Sequence, residues 1–190
     1  MTLDLTLPIA YCWDAVALVW LAGYAFTKRT VRTQPLGTRL FHIALLVLGG
    51  FLLGSARFSY GWLAYRFVPA SDGVQITALA AVVAGCLFAI WARLTLGANW
   101  SARATVKAGH ELVTSGPYSL ARHPIYTGLL LAVAGSALAI GEWRCILGLL
   151  IIVFAMLIKM SQEERLMLQT FPGAYPAYRQ RVKALIPGLL

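Results

Sequence analysis

The sequence predicts an all-α polytopic membrane protein with about five transmembrane helices and a polar, cytoplasmic C-terminal region. Three observations lead there. Hydrophobic residues make up 59% of the chain and charged residues only 12%, where a soluble domain carries about 25% charged residues, and mean hydropathy is +0.73. The apolar residues fall into five stretches, and the basic residues fall unevenly between them.

A span takes about 20 residues, within a range near 17 to 25. Pro8 to Phe26 is the first candidate; Asp4 stands where a secretory leader would carry basic residues, and the apolar run is too long for a leader core, so a span is expected. Leu40 to Ala56 and Val74 to Ala92 supply the second and third. Ile125 to Gly141 supplies the fourth, with Pro124 suited to its first turn, where a missing N–H costs nothing. The fifth, Cys145 to Ile158, holds only the 14 residues between Arg144 and Lys159; its role as a span rests on being the return leg of a hairpin that turns at Gly141-Glu142. Gly128, Ala132 and Ser136 form a small-residue stripe on the fourth span that Gly148 of the fifth is expected to face. Asp14 reads as an interfacial acid near the outer end of its helix, His42 as a polar packing residue, and Cys12, Cys86 and Cys145 as packing residues without metal spacing.

With five spans, residues 27–39, 93–123 and 159 onward share one side and carry 13 of the 16 basic residues; Arg57, Arg66 and Arg144 lie opposite. The positive-inside rule then puts the C-terminus in the cytoplasm and the N-terminus outside. The net charge of +9 reflects this bias and favours anionic membrane lipid. A nucleic-acid partner is excluded on the same grounds, because the basic residues are spread over three juxtamembrane segments with no compact basic domain. The chain divides into a three-span region, 1–95, and a region rich in chemistry-bearing residues, 96–190.

Two polar clusters in that second region converge. In "HELVTSGPYSLARHPIY" (110–126), Gly116-Pro117 marks a turn, His123 is the expected cap of the fourth span, and the following backbone N–H groups with Arg122 form an expected anion site. In "KMSQEERLMLQTFPGAYPAYRQRV" (159–182), Lys159 and Glu163 share a helix face at i,i+4, and Leu166, Met167 and Phe171 continue an amphipathic helix along the membrane surface or back over the bundle. A hairpin between the fourth and fifth spans brings Arg122-His123 and Lys159-Glu163 to one membrane face.

The runs "LGANWSARATVKAGHELVTSGPYSLARHPIYTG" and "EERLMLQTFPGAYPAYRQRVKALIP", from Leu96 to Pro187, resemble the isoprenylcysteine carboxyl methyltransferase family of membrane enzymes. The resemblance implies an S-adenosyl-L-methionine cofactor held by His110, Glu111, Leu112, Val113, Tyr118, His123, Pro124, Ile125, Tyr126 and Glu163. It also implies Lys159, standing where eukaryotic members place an arginine, as a catalytic residue, and Arg122 is expected as a second catalytic residue from its own fork-shaped cation at the start of the fourth span. The family's Phe-Gly-x-x-Tyr is here Phe171-Pro172-Gly173-Ala174-Tyr175.

The chemistry of the residues is compatible with that cofactor. S-adenosylmethionine needs a cationic or N–H-rich corner for its carboxylate, an acid for its ammonium and a flat apolar slot, which Arg122 and His123, Glu163, and Leu112, Val113 and the tyrosines respectively offer. The sulfonium already activates the methyl group, so the protein chiefly positions a lipophilic or prenylated acceptor and excludes water. A carboxylate acceptor is ionised at neutral pH and needs no base; an amine must first lose a proton, and no acid or His is reserved for that work. Phospholipid amine methylation, nicotinamide-dependent sterol-type reduction and a non-catalytic bundle stay open as other readings.

Overall fold

The computed structural model describes residues 3–24, 30–32, 36–97, 100, 106–107, 112–186 and 188. Six helices carry the fold: α1 (Thr6–Tyr24), α2 (Leu36–Gly54), α3 (Asp72–Leu96), α4 (Pro124–Ile140), α5 (Trp143–Thr170) and α6 (Ala174–Arg181). Apart from them, short 3₁₀ turns link the elements, and Thr30–Arg32 pairs antiparallel with Val106–Lys107. The chain is an all-α, multi-pass membrane protein: α1, α2, α3 and α5 are each long and apolar enough to cross a bilayer.

The fourth and fifth spans exchange their expected roles. The stretch that reads as shortest in sequence belongs to the longest helix, because α5 runs unbroken for 28 residues through Lys159 and the Glu163-Glu164 pair. At 1.5 Å per residue that is about 42 Å, against a hydrocarbon core of about 30 Å. The amphipathic segment expected after the fifth span is therefore its own continuation. α4, by contrast, has 17 residues and is the short one. The two helices meet at Gly141, whose left-handed backbone (φ 74°) ends α4 and whose N–H donates to Ala137 O. Counted from that turn, the seventeenth residue of α5 is Lys159, level with the start of α4. Glu163 and Glu164 lie one turn further out.

The hairpin helices do not form the tightest pairs. Instead α4 packs on α3, and α5 packs on α2. A Cβ at Gly85 would sit 2.5 Å from Ala132 N and Gly128 O, and one at Gly128 would sit 2.6 Å from Ala89 N and Gly85 O, so α3 and α4 touch backbone to backbone. The small-residue stripe thus faces α3, which corrects the expectation that Gly148 lies against it. Gly148 opposes Gly49 on α2, where a Cβ would meet Gly49 O at 2.8 Å. In a membrane, where lipid is as apolar as leucine, helices associate by such close packing. α1 lies outside α3, joined by Val16 against Val82, Cys86 and Ala132 and by Trp13 Nε1 donating to Ser136 Oγ at 3.0 Å.

Two of the three basic residues opposite the polar region cap helix ends. Arg144 donates to Leu52 O and Leu53 O, both at 2.7 Å, and Arg66 to Ile140 O at 2.7 Å. The last carbonyls of α2 and α4 would otherwise lack partners. The same end holds Asp72, which accepts from Leu3 N at 2.8 Å. Asp14 is exposed on α1, and all three cysteines are unpaired.

Gly128→Ala should force α3 and α4 apart and cost about 1 to 3 kcal/mol, the usual penalty for overpacking. Gly50→Ala, on an exposed face with nothing within 4 Å of the new Cβ, should leave stability unchanged or raised. Thermal unfolding of both variants in detergent checks this.

Candidate functional site

Because α4 starts level with Lys159, its entry is overhung by about three further turns of α5, and the space between is filled by side chains of opposite charge. Arg122, the second residue before α4, donates from Nε to Glu164 Oε1 at 2.9 Å and from Nη2 to the same oxygen at 2.5 Å. Its Nη1 donates to Arg179 O and Val182 O, and Tyr175 also hydrogen-bonds with it. The two side chains are only 8% and 13% exposed. A buried pair of this kind is tolerable only when nearly every donor finds an acceptor, and Arg122 meets that condition.

His123 precedes Pro124 as the cap residue of α4, but its side chain caps nothing. The imidazole instead reaches Glu164 Oε1 at 3.3 Å and Glu163 Oε2 at 3.7 Å, and stacks on Tyr126 with ring centroids 5.5 Å apart. Tyr126 donates its hydroxyl to Glu163 Oε1 at 2.7 Å. Lys159 Nζ lies 3.9 Å from that same oxygen and 5.4 Å from the Tyr126 ring centroid. Glu163 is thus ringed by His123, Tyr126 and Lys159 while its side chain keeps 23% of its surface exposed. From α2, His42 reaches α5 near Ala155, one turn before Lys159, with its Nδ1 buried and without a hydrogen-bond partner among the described residues.

α6 and the chain beyond it close the cluster from outside. Arg122 N donates to Lys183 O at 2.8 Å, His123 N to Ala184 O at 2.9 Å, and Thr127 Oγ1 to Leu185 O at 2.7 Å. Arg179 adds an ion pair to Glu164 at 3.5 Å. Tyr178 donates to Tyr118 O at 2.5 Å. Burial pushes the Tyr178 hydroxyl up to about 12, against the Arg122 cation, and raises Tyr118 and Tyr175 as well, so all three stay neutral hydrogen-bonding groups at neutral pH.

Under this polar layer lies a packed aromatic cluster. Tyr118, Trp100, Ala92 and Ile125 are buried together, with Val113, Tyr126, Leu96 and Leu129 packed on them, and the Tyr118 hydroxyl donates to Ala92 O at 3.4 Å. Of the residues singled out in the sequence, Val113, Tyr118, Ile125 and Tyr126 meet in this cluster, and His123, Tyr126, Lys159 and Glu163 meet around one carboxylate. Pro124 is fully buried in the first turn of α4, and Leu112 is half-buried in the approach to Tyr118. His110 and Glu111 lie outside the described residues.

Arg122 departs from its expected task. The anion at the start of α4 is the protein's own Glu164, and the backbone N–H groups of Arg122 and His123 are taken by the C-terminal strap. Glu164 itself was missed by sequence reasoning. The adjacent Glu pair was the signal, since neighbouring helical residues point about 100° apart and one had to meet what the other did not.

Residues 77–169 match the model of the isoprenylcysteine carboxyl methyltransferase family. That stretch, just under half of the chain, is what the family likeness covers. The matched region starts inside α3, earlier than the Leu96 boundary read from the motifs, and takes in the Gly85–Gly128 contact of α3 with α4. It ends one residue before the end of α5, so α6 and the strap lie beyond it. The chain is also 35% identical over 98 residues to the cobalt-zinc-cadmium resistance protein CzcN of Cupriavidus metallidurans, which is 50% of this chain and 44% of that protein. It is 32% identical over 98 residues to the nickel-cobalt-cadmium resistance protein NccN of Alcaligenes xylosoxydans xylosoxydans, 50% of this chain and 45% of that one. The matched stretch therefore spans less than half the length of either relative.

Glu164→Gln should leave Arg122 buried without its counter-charge and cost about 3 to 5 kcal/mol. The Glu164→Leu/Arg122→Met pair should cost less than the sum of the single changes. A double-mutant cycle by thermal unfolding in detergent reads the difference.

Proposed function

We propose that this chain is an S-adenosylmethionine-dependent methyltransferase that acts on a carboxylate of a lipophilic, isoprenylcysteine-like acceptor at the cytoplasmic membrane face. The observation that carries this reading is Glu163: a partly exposed carboxylate, ringed by His123, Tyr126 and Lys159, at the edge of the packed aromatic cluster that Tyr126 joins.

The residues fit the cofactor in two of its three needs. Glu163 offers an acid to the ammonium, and Val113, Tyr118, Ile125 and Tyr126 offer a flat apolar surface to the adenosyl portion. Arg122 is spent on Glu164 and does not meet the third need, a partner for the carboxylate. Bound there, the cofactor would supply a methyl group already activated by its sulfonium. The chain's own part is positioning. The His123–Tyr126 stack and the Tyr126 hydroxyl hold Glu163 in place, and the strap over α4 keeps water from the aromatic cluster. Lys159, one turn nearer the bilayer than Glu163, is placed to hold an acceptor carboxylate arriving from lipid. Its ammonium keeps the family arginine's charge without the fork.

The relatives' names concern resistance to metals. Among the described residues no three of His, Cys, Asp and Glu gather as a metal site, and the reading rests on the family region and on Glu163.

Glu163→Gln should weaken cofactor binding by about 1.5 to 3 kcal/mol, the range of a charge-assisted hydrogen bond, in a protein that still folds. Lys159→Ala should lower methyl transfer at least about tenfold, on the order of 1.4 kcal/mol, with cofactor affinity unchanged, and Lys159→Arg should retain activity. Calorimetric binding of S-adenosylmethionine beside turnover of a small prenylated thiol acid separates the two; loss of binding and turnover together in Lys159→Ala would move Lys159 into the cofactor site. For orientation, a single reactive cysteine added after Leu190 should label only from the cytoplasmic side.

A further inference from the structure

The unmet need of the cofactor reading draws attention to Arg93, three residues before the end of α3 and only 3% exposed. Its Nη1 donates to Gly97 O at 3.0 Å, and its guanidinium carbon lies 4.4 Å from the centroid of Trp100. Its Nε and Nη2 are buried and have no hydrogen-bond partner among the described residues. Those two nitrogens form one edge of the guanidinium, the fork whose parallel N–H groups match the two oxygens of a carboxylate. A buried donor left unmatched costs about 1 to 3 kcal/mol, and more on a charged group. Anchoring Trp100 and Gly97 explains one nitrogen and one face of Arg93; it leaves the fork unexplained.

The surroundings of the fork are suited to an amphiphilic ligand. Trp100 stands edge-on to Trp20 of α1, with centroids 6.3 Å apart, and packs with Tyr118 in the cluster that includes Tyr126, whose hydroxyl donates to Glu163. Gly23 lies directly over the fork, where a Cβ would collide with Nη2 and Cζ. Only a glycine fits on α1 at that position, so the α1 backbone closes over the fork and shields it from solvent. With Arg122 committed to Glu164, Arg93 is the buried cation at this end of the bundle that retains unmatched N–H groups among the described residues.

We propose that the Nε/Nη2 edge of Arg93 is a carboxylate-binding site between the ends of α1 and α3, and that it takes the carboxylate of one of the two reactants. The inference rests on the methyltransferase reading only for the naming of those reactants, the cofactor and the lipophilic acid.

The full chain in detergent is titrated with two ligand pairs while Trp20 and Trp100 report by fluorescence. The pairs are S-adenosylhomocysteine with its decarboxylated analogue, and a farnesyl thioether acid with its amide. In one pair the wild type should favour the carboxylate member at least about tenfold, as one charge-assisted hydrogen bond implies. Arg93→Lys, which keeps the charge and loses the fork, and Arg93→Gln should both abolish most of that preference. Loss in the first pair assigns the fork to the cofactor, and loss in the second assigns it to the acceptor. If either Arg93 variant fails to fold by circular dichroism, Gly23→Val, whose side chain would displace the guanidinium while leaving residue 93 unchanged, should produce the same loss. No carboxylate preference in the wild type, or a preference that survives in folded variants, overturns the proposal. Failure of both adenosyl ligands to bind, with an Arg93-dependent preference in the acid pair, would sink the cofactor reading and leave the fork standing.

Discussion

The buried pair of Arg122 and Glu164 joins three parts of the chain that lie apart in sequence. Arg122 belongs to the entry of α4 and Glu164 to the overhang of α5; Arg179 of α6 and the carbonyl of Val182 complete the set. Removing two charges from water is costly, and attraction between them repays it only when the remaining donors and acceptors are matched. That requirement is what draws α6 and the strap onto the cluster, since Arg122 has more N–H groups than one carboxylate can accept. The neighbouring Glu163 is then left as the acid whose partners are looser, and it alone of the pair keeps a quarter or so of its side-chain surface open.

The α4–α5 length difference gives that pair its place. A 17-residue helix beside a 28-residue one, both counted from the Gly141 turn, cannot end level. The surplus of α5 stands over the entry of α4 and supplies both carboxylates. Close backbone contact of α3 with α4, and of α2 with α5, holds the helices at the depth where this overhang matters. The aromatic cluster follows from the same contact, because Ala92 of α3 and Ile125 of α4 pack together with Tyr118. In this arrangement the region that matches the methyltransferase family is one packed unit from α3 through α5.

The sequence by itself determined the class of fold, the five apolar segments, the turn at Gly141-Glu142 and the meeting of residues 122–126 with 159–163. Each of these follows from local chemistry: apolar length against bilayer thickness, and a residue count along two helices from a shared turn. It also marked His123, Tyr126, Lys159 and Glu163, because polar groups beside a membrane span stand out from an apolar background.

Tertiary structure decided which helix pairs with which, since small-residue stripes on α2, α3, α4 and α5 are interchangeable in sequence and only packing selects Gly85 for Gly128 and Gly49 for Gly148. It decided that Arg122 serves Glu164 rather than an external anion, because partner choice among several acids and carbonyls depends on distances that no spacing rule supplies. It decided, too, that Arg93 is buried with its fork unmatched among the described residues. A basic residue in the last turn of a helix ordinarily reaches outward to water and headgroups, and only the arrival of Gly23 and Trp100 on either side of this one shuts it in.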